Sequence, residues 1–212
     1  MASSILLQGG TVLVHDENEH VRPIKADILI EGRLFPRSKL ALQLARGSRS
    51  LIVQNKILSP GFVDTHHHVW QTLLKGRHAN DLLLDYFGHG NFTNPLHTPE
   101  DIFWDQLAGC LESLDAGTTT FVDHAHLNKS PDSTKAAIAA TISSGIRSAP
   151  FADGRVSLGF AFDDFYLPKE VLAGIYEHVK SLGINVSTMH YVRNVITGED
   201  VSEELVKRRE LI

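Results

Sequence analysis

The sequence lacks several features that would place it in a common class of protein. It contains one cysteine in 212 residues, Cys110, so a disulfide framework within the chain is excluded. No apolar run approaches the roughly 20 residues of a membrane span, and the N-terminus has no basic stretch followed by a long apolar core. The formal net charge of -5 does not suggest a basic surface for binding nucleic acid. These absences predict a soluble, cytoplasmic protein without membrane or nucleic-acid partners.

The first 58 residues have the pattern of a small β module without chemistry of its own. Short β-type runs occupy residues 5–7 and 11–14, and Gly9-Gly10 between them predicts a hairpin or tight turn. Residues 26–30 and 51–58 predict further strands. Residues 32–50 carry five basic side chains and no acidic one. Their apolar positions alternate, which favours a solvated loop and strand over a basic amphipathic helix for an anionic partner.

A histidine triplet follows the β module and is the strongest chemical signal in the chain. Pro60-Gly61 marks a turn, and Phe62 and Val63 suit a buried strand covered on both faces. Because strand side chains alternate, His66 and His68 should project together while His67 opposes them. Two imidazoles converging from one strand end form half of a transition-metal site. Three solvated loop histidines are the alternative, and the strand-like lead-in favours the metal.

The remainder of the chain alternates between strand and helix patterns. Helices are predicted at residues 98–115, 130–145 and 168–182, and strands at 118–123, 146–149, 155–162 and 184–191. The expected buried stripe of the first of these helices is Phe103, Leu107, Cys110, Leu111 and Leu114, so Cys110 is interpreted as core.

This alternation predicts a parallel sheet with helical crossovers, as in a (β/α) barrel. In such a barrel the active site lies at the carboxyl ends of the strands. The predicted strand ends carry His66, His68, His124, His126 and His190.

Two stretches resemble the metal-dependent amidohydrolase superfamily, especially its chlorohydrolase and aminohydrolase branch. They are Pro-Gly-Phe-Val-Asp-Thr-His-His-His-Val-Trp-Gln-Thr-Leu at residues 60–73 and Ala-Gly-Thr-Thr-Thr-Phe-Val-Asp-His at 116–124. The resemblance implies an α/β fold, here an incomplete TIM-like (β/α) barrel preceded by a small β-sandwich module. The expected domains are residues 1–58 for the β-sandwich module and 59–212 for the partial barrel.

The resemblance also implies a set of site residues. His66, His68 and His190 match the metal ligands, and Gln71 matches a substrate-contacting position. His126 falls nearer the substrate than the metal, so it is either a pocket-lining residue or part of a polar loop. The strand at 155–162 has no lysine to bridge two ions, so one divalent metal ion, zinc or iron, is expected.

The expected activity is metal-dependent hydrolysis of a carbon–nitrogen bond other than a peptide bond, of the deaminase or amidohydrolase type. A metal ion held by three histidines activates water at its open position, and the substrate would be a small heterocycle or amide. The resemblance identifies no catalytic acid or base. Arg193 occupies the position of the family's proton-shuttling glutamate, and arginine cannot transfer protons as a carboxylate does.

The sequence therefore also predicts a second possibility, a truncated non-catalytic relative that keeps a metal or ligand pocket. The chain stops at Ile212, before the later barrel strands, and residues 150–154 leave too little chain for a helical crossover. Together with residues 32–50, these departures lead us to expect a shortened or altered gene product, which sequencing of the transcript tests. A homodimer that covers the open sheet edge is the expected assembly.

Overall fold

The computed structural model describes residues 4–31, 49–148, 156, 158–161, 167–184 and 187–188. The chain divides into two compact units, Met1–Gly61 and Phe62–Ile212, and together they contain both helices and strands, as expected for a mixed α/β protein. No helix in these ranges is long and apolar enough to cross a membrane. The sequence predictions for residues 32–48, 149–155, His190 and Arg193 lie outside the described residues.

The first unit is a sheet built on one long strand. Its strands are β1 Ser4–His15, β2 Val21–Glu31, β3 Arg49–Ile52 and β4 Ile57–Leu58. Strand β2 pairs with β1 antiparallel, and strands β3 and β4 pair with β1 parallel. The apolar side chains of Leu6 and Val12 on β1 are buried, so the central strand supplies the core of this unit.

Two sequence predictions for this unit are wrong. Gly9-Gly10 does not form a turn, because β1 runs through it with a register irregularity against β2 between Leu7 and Gly10. Gly9 takes a φ of 76° and donates its N–H to Asp27 Oδ1 at 2.9 Å. The glycine therefore provides the backbone conformation of a β-bulge. The predicted strand at 51–58 is interrupted by a turn where Asn55 has a φ of 61°.

The second unit alternates strands and helices as the sequence predicts. Its elements are β5 Phe62–His67, a 3-10 helix Val69–Leu74, α1 Leu83–His89, a 3-10 helix Asn91–Leu96, α2 Pro99–Asp115, β6 Thr118–Asp123, α3 Pro131–Ser144, β7 Arg147–Ser148, β8 Phe160–Ala161, α4 Lys169–Ser181 and β9 Ser187–Thr188. Strands β5, β6 and β7 form one parallel sheet, while β8 and β9 form a parallel pair. Helix α2 lies between β5 and β6 in the chain, and α3 lies between β6 and β7.

The strand before the histidine triplet is less covered than the sequence predicts. Phe62 and Val63 are 66% and 62% exposed. Within the described part of the sheet, β5 pairs with β6 alone. The prediction that they are covered on both faces is therefore wrong.

Helix α2 begins where its sequence predicts. Thr98 caps the helix by accepting the backbone N–H of Asp101 at 3.2 Å, and Asp101 Oδ2 accepts the backbone N–H of Thr98 at 2.8 Å. This reciprocal capping box satisfies N–H groups that have no partner inside the helix. The hydrogen bonds from the side chain and backbone of Thr98 lower the pKa of Asp101. Helices α3 and α4 likewise match their predicted positions.

The buried face of α2 differs from the predicted stripe. Leu111 is 49% exposed, and Phe103, Leu107 and Leu114 are only partly buried. Cys110 belongs to the core, where burial raises the pKa of its thiol to about 11, as expected for a packing residue. The buried residues of this helix are Ile102, Asp105, Gln106, Gly109 and Cys110.

Gly109 lets α2 pack closely against the 3-10 helix that follows β5. A Cβ atom there would lie 2.3 Å from Thr72 Oγ1 and 2.8 Å from the carbonyl oxygen of Val69. We expect Gly109→Ala to lower the free energy of unfolding by about 1–3 kcal/mol, because the backbone must move to relieve the overlap. Denaturant unfolding measures this change.

Gly174→Ala is the matched control for that substitution. Gly174 lies in α4, and a Cβ atom added there would meet nothing within 4 Å. Alanine should therefore raise the free energy of unfolding by about 0.5–1 kcal/mol, through helix propensity alone. Equal effects of the two substitutions would contradict the close packing at Gly109.

Candidate metal site

The carboxyl end of β5 is shaped by Asp64. Its Oδ1 accepts the backbone N–H of His66 at 3.0 Å, and its Oδ2 lies 2.8 Å from His67 Nδ1. Partial burial opposes ionisation of Asp64, but these hydrogen bonds outweigh it and lower the pKa of the carboxyl. His67 stacks on Phe121 with ring centroids 5.8 Å apart. Asp64 thereby holds the middle histidine of the triplet away from its neighbours.

His66 and His68 come together, as the alternation of the strand predicts. Their Nε2 atoms lie 3.3 Å apart. The other ring nitrogen of His68, Nδ1, is 2.8 Å from the carbonyl oxygen of His124. A carbonyl only accepts hydrogen bonds, so Nδ1 of His68 carries the proton and its Nε2 has a lone pair. The structure thus presents His68 in the tautomer that a metal ion requires.

The end of β6 brings further imidazoles to the same place. The ring of His126 lies 4.5 Å from that of His68, and the ring of His124 lies 5.1 Å from that of His66, between centroids. Burial lowers the pKa of His126 to about 4, with smaller contributions from His68, His124 and His66. His126 is therefore neutral at pH 7 and can donate or accept a hydrogen bond. Both sequence interpretations of His126, the pocket-lining residue and the polar loop, stay predictions.

Asp123 joins the two strand ends, a role that sequence reasoning missed. Its Oδ1 accepts the backbone N–H of Val69 at 3.3 Å, and its Oδ2 accepts Gln106 Nε2 at 2.6 Å. Gln106 also donates to Thr141 Oγ1 at 3.1 Å, which ties α3 to the same network. Burial raises the pKa of Asp123, and the hydrogen bond from Gln106 opposes that rise. A polar residue inside a predicted helix, such as Gln106, was the available signal for this network. The predicted buried stripe of α2 did not include Gln106, so the signal was missed.

Gln71 lies in the 3-10 helix after β5, where its amide is oriented by its neighbours. Its Nε2 donates to the hydroxyl oxygen of Tyr86, and that hydroxyl donates to Asn91 Oδ1 at 2.7 Å. Because the amide nitrogen is committed to Tyr86, Oε1 is the end of Gln71 that is oriented as an acceptor. Tyr86 and Asn91 carry no motif, and the sequence offered no signal for them.

The described residues do not complete a three-ligand site. Within them, no group of three or more His, Cys, Asp or Glu side chains has the arrangement of a metal site. The predicted third ligand, His190, lies outside the described residues. The geometry therefore supplies two converging imidazoles, one of them in a fixed tautomer.

Comparison with known proteins adds independent evidence. The model of the amidohydrolase family matches residues 57–150, which include both histidine-bearing strand ends. A 5-methylthioadenosine/S-adenosylhomocysteine deaminase of Thermococcus sibiricus is 34% identical over 124 residues, covering 57% of this chain and 28% of that relative. These matches support the resemblance to the metal-dependent amidohydrolase superfamily that the sequence predicts.

A further relative has a related name. A 5'-deoxyadenosine deaminase of Methanocaldococcus jannaschii is 33% identical over 112 residues, covering 50% of this chain. The matched parts span only 28% and 26% of the lengths of these two curated relatives.

Solved structures share the fold of this chain. An adenosine deaminase from Xanthomonas campestris with bound zinc superposes with a TM-score of 0.76 at 17% identity, covering 99% of this chain and 55% of that one. Atrazine chlorohydrolase from Arthrobacter aurescens, complexed with zinc, gives a TM-score of 0.66 at 20% identity, covering 96% and 56%.

Proposed function

We propose that this chain is part of a metal-dependent hydrolase that removes an amine from a ring carbon of a small heterocycle. The observation that carries the proposal is the convergence of His66 and His68, with Nε2 atoms 3.3 Å apart and the tautomer of His68 set by the carbonyl of His124. The deaminase names of the relatives support the reaction class and suggest an aminopurine nucleoside as substrate.

The two imidazoles fit a zinc ion. Nitrogen ligands about 2.0–2.1 Å from a tetrahedral ion are separated by about 3.3 Å, and the Nε2 atoms have this separation. We propose that His66 and His68 hold one divalent ion, zinc or iron, with His190 as the third ligand. When bound, such an ion lowers the pKa of a coordinated water to about 7, which supplies the nucleophile for hydrolysis.

The remaining residues would bind and orient the substrate. We propose that Gln71 accepts a hydrogen bond from a substrate N–H through Oε1, since Tyr86 holds its amide nitrogen. His126 would contact the substrate from the other strand end, as a neutral imidazole. Asp123 keeps the strand ends in register, and its oxygens are engaged by Val69 and Gln106, so it is not assigned to proton transfer.

We also propose a two-domain architecture for the chain. Residues 1–58 would form a β-sandwich module, and residues 59–212 would form the first strands and helices of a TIM-like barrel. Parallel β5, β6 and β7 with intervening helices support this assignment. The cytoplasmic location and the homodimer stay predictions from the sequence.

The proposal is tested by measuring zinc content and ammonia release on the same purified chain. We expect one zinc per chain, and ammonia from an aminopurine nucleoside such as methylthioadenosine that stops when a chelator removes the metal. Absence of zinc binding would overturn the proposal. Zinc binding without ammonia from any of several aminopurines and aminotriazines would replace it with the non-catalytic alternative.

A further inference from the structure

A buried polar cluster lies next to the candidate site and has no role in the proposed reaction. It consists of Asp105 on α2, His97 in the turn before it, and Trp70 in the 3-10 helix after β5. Asp105 and Trp70 are 0% and 1% exposed. Among the described residues, the two carboxyl oxygens of Asp105 have no hydrogen-bond partner. The indole Nε1 of Trp70 has none there either. Unpaired buried polar groups are costly, so the cluster requires an explanation.

The hydrogen bonds of His97 restrict the protons that the cluster can hold. Its Nδ1 lies 3.1 Å from the carbonyl oxygen of Thr93, so Nδ1 carries a proton. Its Nε2 faces Asp105 Oδ2 at 3.9 Å. If both groups lacked a further proton, a nitrogen lone pair would face a carboxylate in a dry site. A proton on the carboxyl of Asp105 avoids that arrangement.

Burial keeps that proton on the carboxyl up to neutral pH. Loss of water raises the pKa of Asp105 to about 7, and the nearby carboxylate of Asp101 adds to the rise. The 3.9 Å separation is longer than a hydrogen bond, so the imidazole of His97 does not compensate for the lost hydration.

The other charged groups around the pair are few. On α2 the nearby charge is Asp101, and Lys129 donates to the backbone carbonyl of His97. The 3-10 helix Val69–Leu74 carries no charged side chain. Asp123 of β6 is held by other donors, while Asp132 and Lys135 of α3 pair with each other at the surface. Titration of the cluster is therefore governed by Asp105.

Trp70 connects this cluster to the candidate site. Its ring meets His97 edge-on at 5.4 Å and His126 edge-on at 5.2 Å, between centroids. His126 in turn lies 4.5 Å from the ring of His68. The indole thus separates the buried pair from the imidazoles at the strand ends, and a shift of Trp70 must change the surroundings of His126.

We propose that the carboxyl of Asp105 holds a proton beside His97 and that these two residues position Trp70, and through it His126, beside the strand-end histidines. When the carboxyl loses the proton, the resulting carboxylate needs a donor. The Nε1–H of Trp70 is a donor without a partner among the described residues, and both groups adjoin His97. The indole then turns toward Asp105 and away from its edge-on contact with His126. Asp105 and His97 are positioning residues and do not contact the substrate.

The test follows Trp70 directly. The chain has two tryptophans, and Trp104 is 58% exposed, so Trp104→Phe leaves Trp70 as the sole indole. In this variant, the Nε1–H resonance of Trp70 in proton–nitrogen spectra and the indole fluorescence should change together, with a midpoint near pH 7. Adding Asp105→Asn should remove the transition. Adding Asp101→Asn should retain it and shift its midpoint to lower pH.

Two results would overturn the proposal. One is a transition of Trp70 that persists when Asp105 is replaced, and the other is the absence of any transition between pH 5 and pH 9 in the Trp104→Phe variant. Circular dichroism establishes that each variant is folded. If Asp105→Asn does not fold, Asp105→Ala takes its place, since alanine removes both oxygens and favours the helix. The measurement needs no metal and no turnover, so it is independent of the proposed function.

Discussion

Replacing either His66 or His68 by alanine is expected to lower the affinity of the chain for zinc by more than about 100-fold. Even the loss of a residue that only supports a ligand costs about 10–100-fold, so loss of the ligand itself should cost more. Isothermal titration calorimetry at pH 7.5 measures the change. His68→Ala also removes the hydrogen bond to the carbonyl of His124, so unfolding curves without metal must accompany it.

His67→Ala is the matched control for these two variants. It removes an imidazole from the same strand end, but one that bonds to Asp64 and stacks on Phe121. We expect its zinc affinity to stay within about 10-fold of the original, since no ligand is lost. Zinc affinity that falls as far in His67→Ala as in His68→Ala would show that the alternation of the strand does not define the metal site.

Replacing Asp105 by asparagine is expected to stabilise the chain at pH 8 by between about 1 and 4 kcal/mol. The folded-state pKa of Asp105 is raised to about 7 from an ordinary value of 3.8. Between these values the folded chain holds a proton that the unfolded chain has lost, so stability falls as pH rises, by about 1.4 kcal/mol per unit at most. The lower bound allows for local rearrangement around the ionised carboxyl.

The difference in stability between the original chain and Asp105→Asn should depend on pH. The contribution of the protonated carboxyl is fully present below pH 3.8 and is lost as pH rises through about 7. The original chain and Asp105→Asn should therefore differ little at pH 4 and most at pH 8, in urea unfolding followed by circular dichroism. Asp101→Asn should behave oppositely, because hydrogen bonds from Thr98 lower the pKa of Asp101. This variant should be less stable than the original chain at neutral pH, and the difference should disappear in acid. Equal stability of Asp105→Asn and the original chain at pH 8 would show that burial does not raise the pKa of Asp105.

Local sequence patterns predicted the helices well. Thr98 caps α2, Ser130 caps α3, and Gly145 ends α3 with a φ of 77°. These residues act through hydrogen bonds and backbone angles within a few positions of the chain, so their effect does not depend on distant packing. The projection of His66 and His68 to one side was predictable for the same reason, because alternation is a property of the strand itself.

The side of α2 that packs inward was not predictable in this way. Leu111 was expected inside and is exposed, whereas Asp105 and Gln106 were not expected in the core and are buried. The orientation depends on Gly109, where the helix approaches Val69 and Thr72 more closely than any side chain would allow. A helix with apolar residues on several faces can present more than one of them, and the neighbouring elements decide which.

The sequence by itself determined the order of strands and helices, the family resemblance and the pair of histidines at the end of β5, because each depends on local periodicity or a contiguous motif. Tertiary structure alone decided how those histidines are held. The carbonyl of His124 sets the tautomer of His68, and Asp123 joins the strand ends through Val69. It also placed Asp105 beside His97 in a dry site. These contacts join residues far apart in the chain or depend on which helix face turns inward, so no local pattern records them.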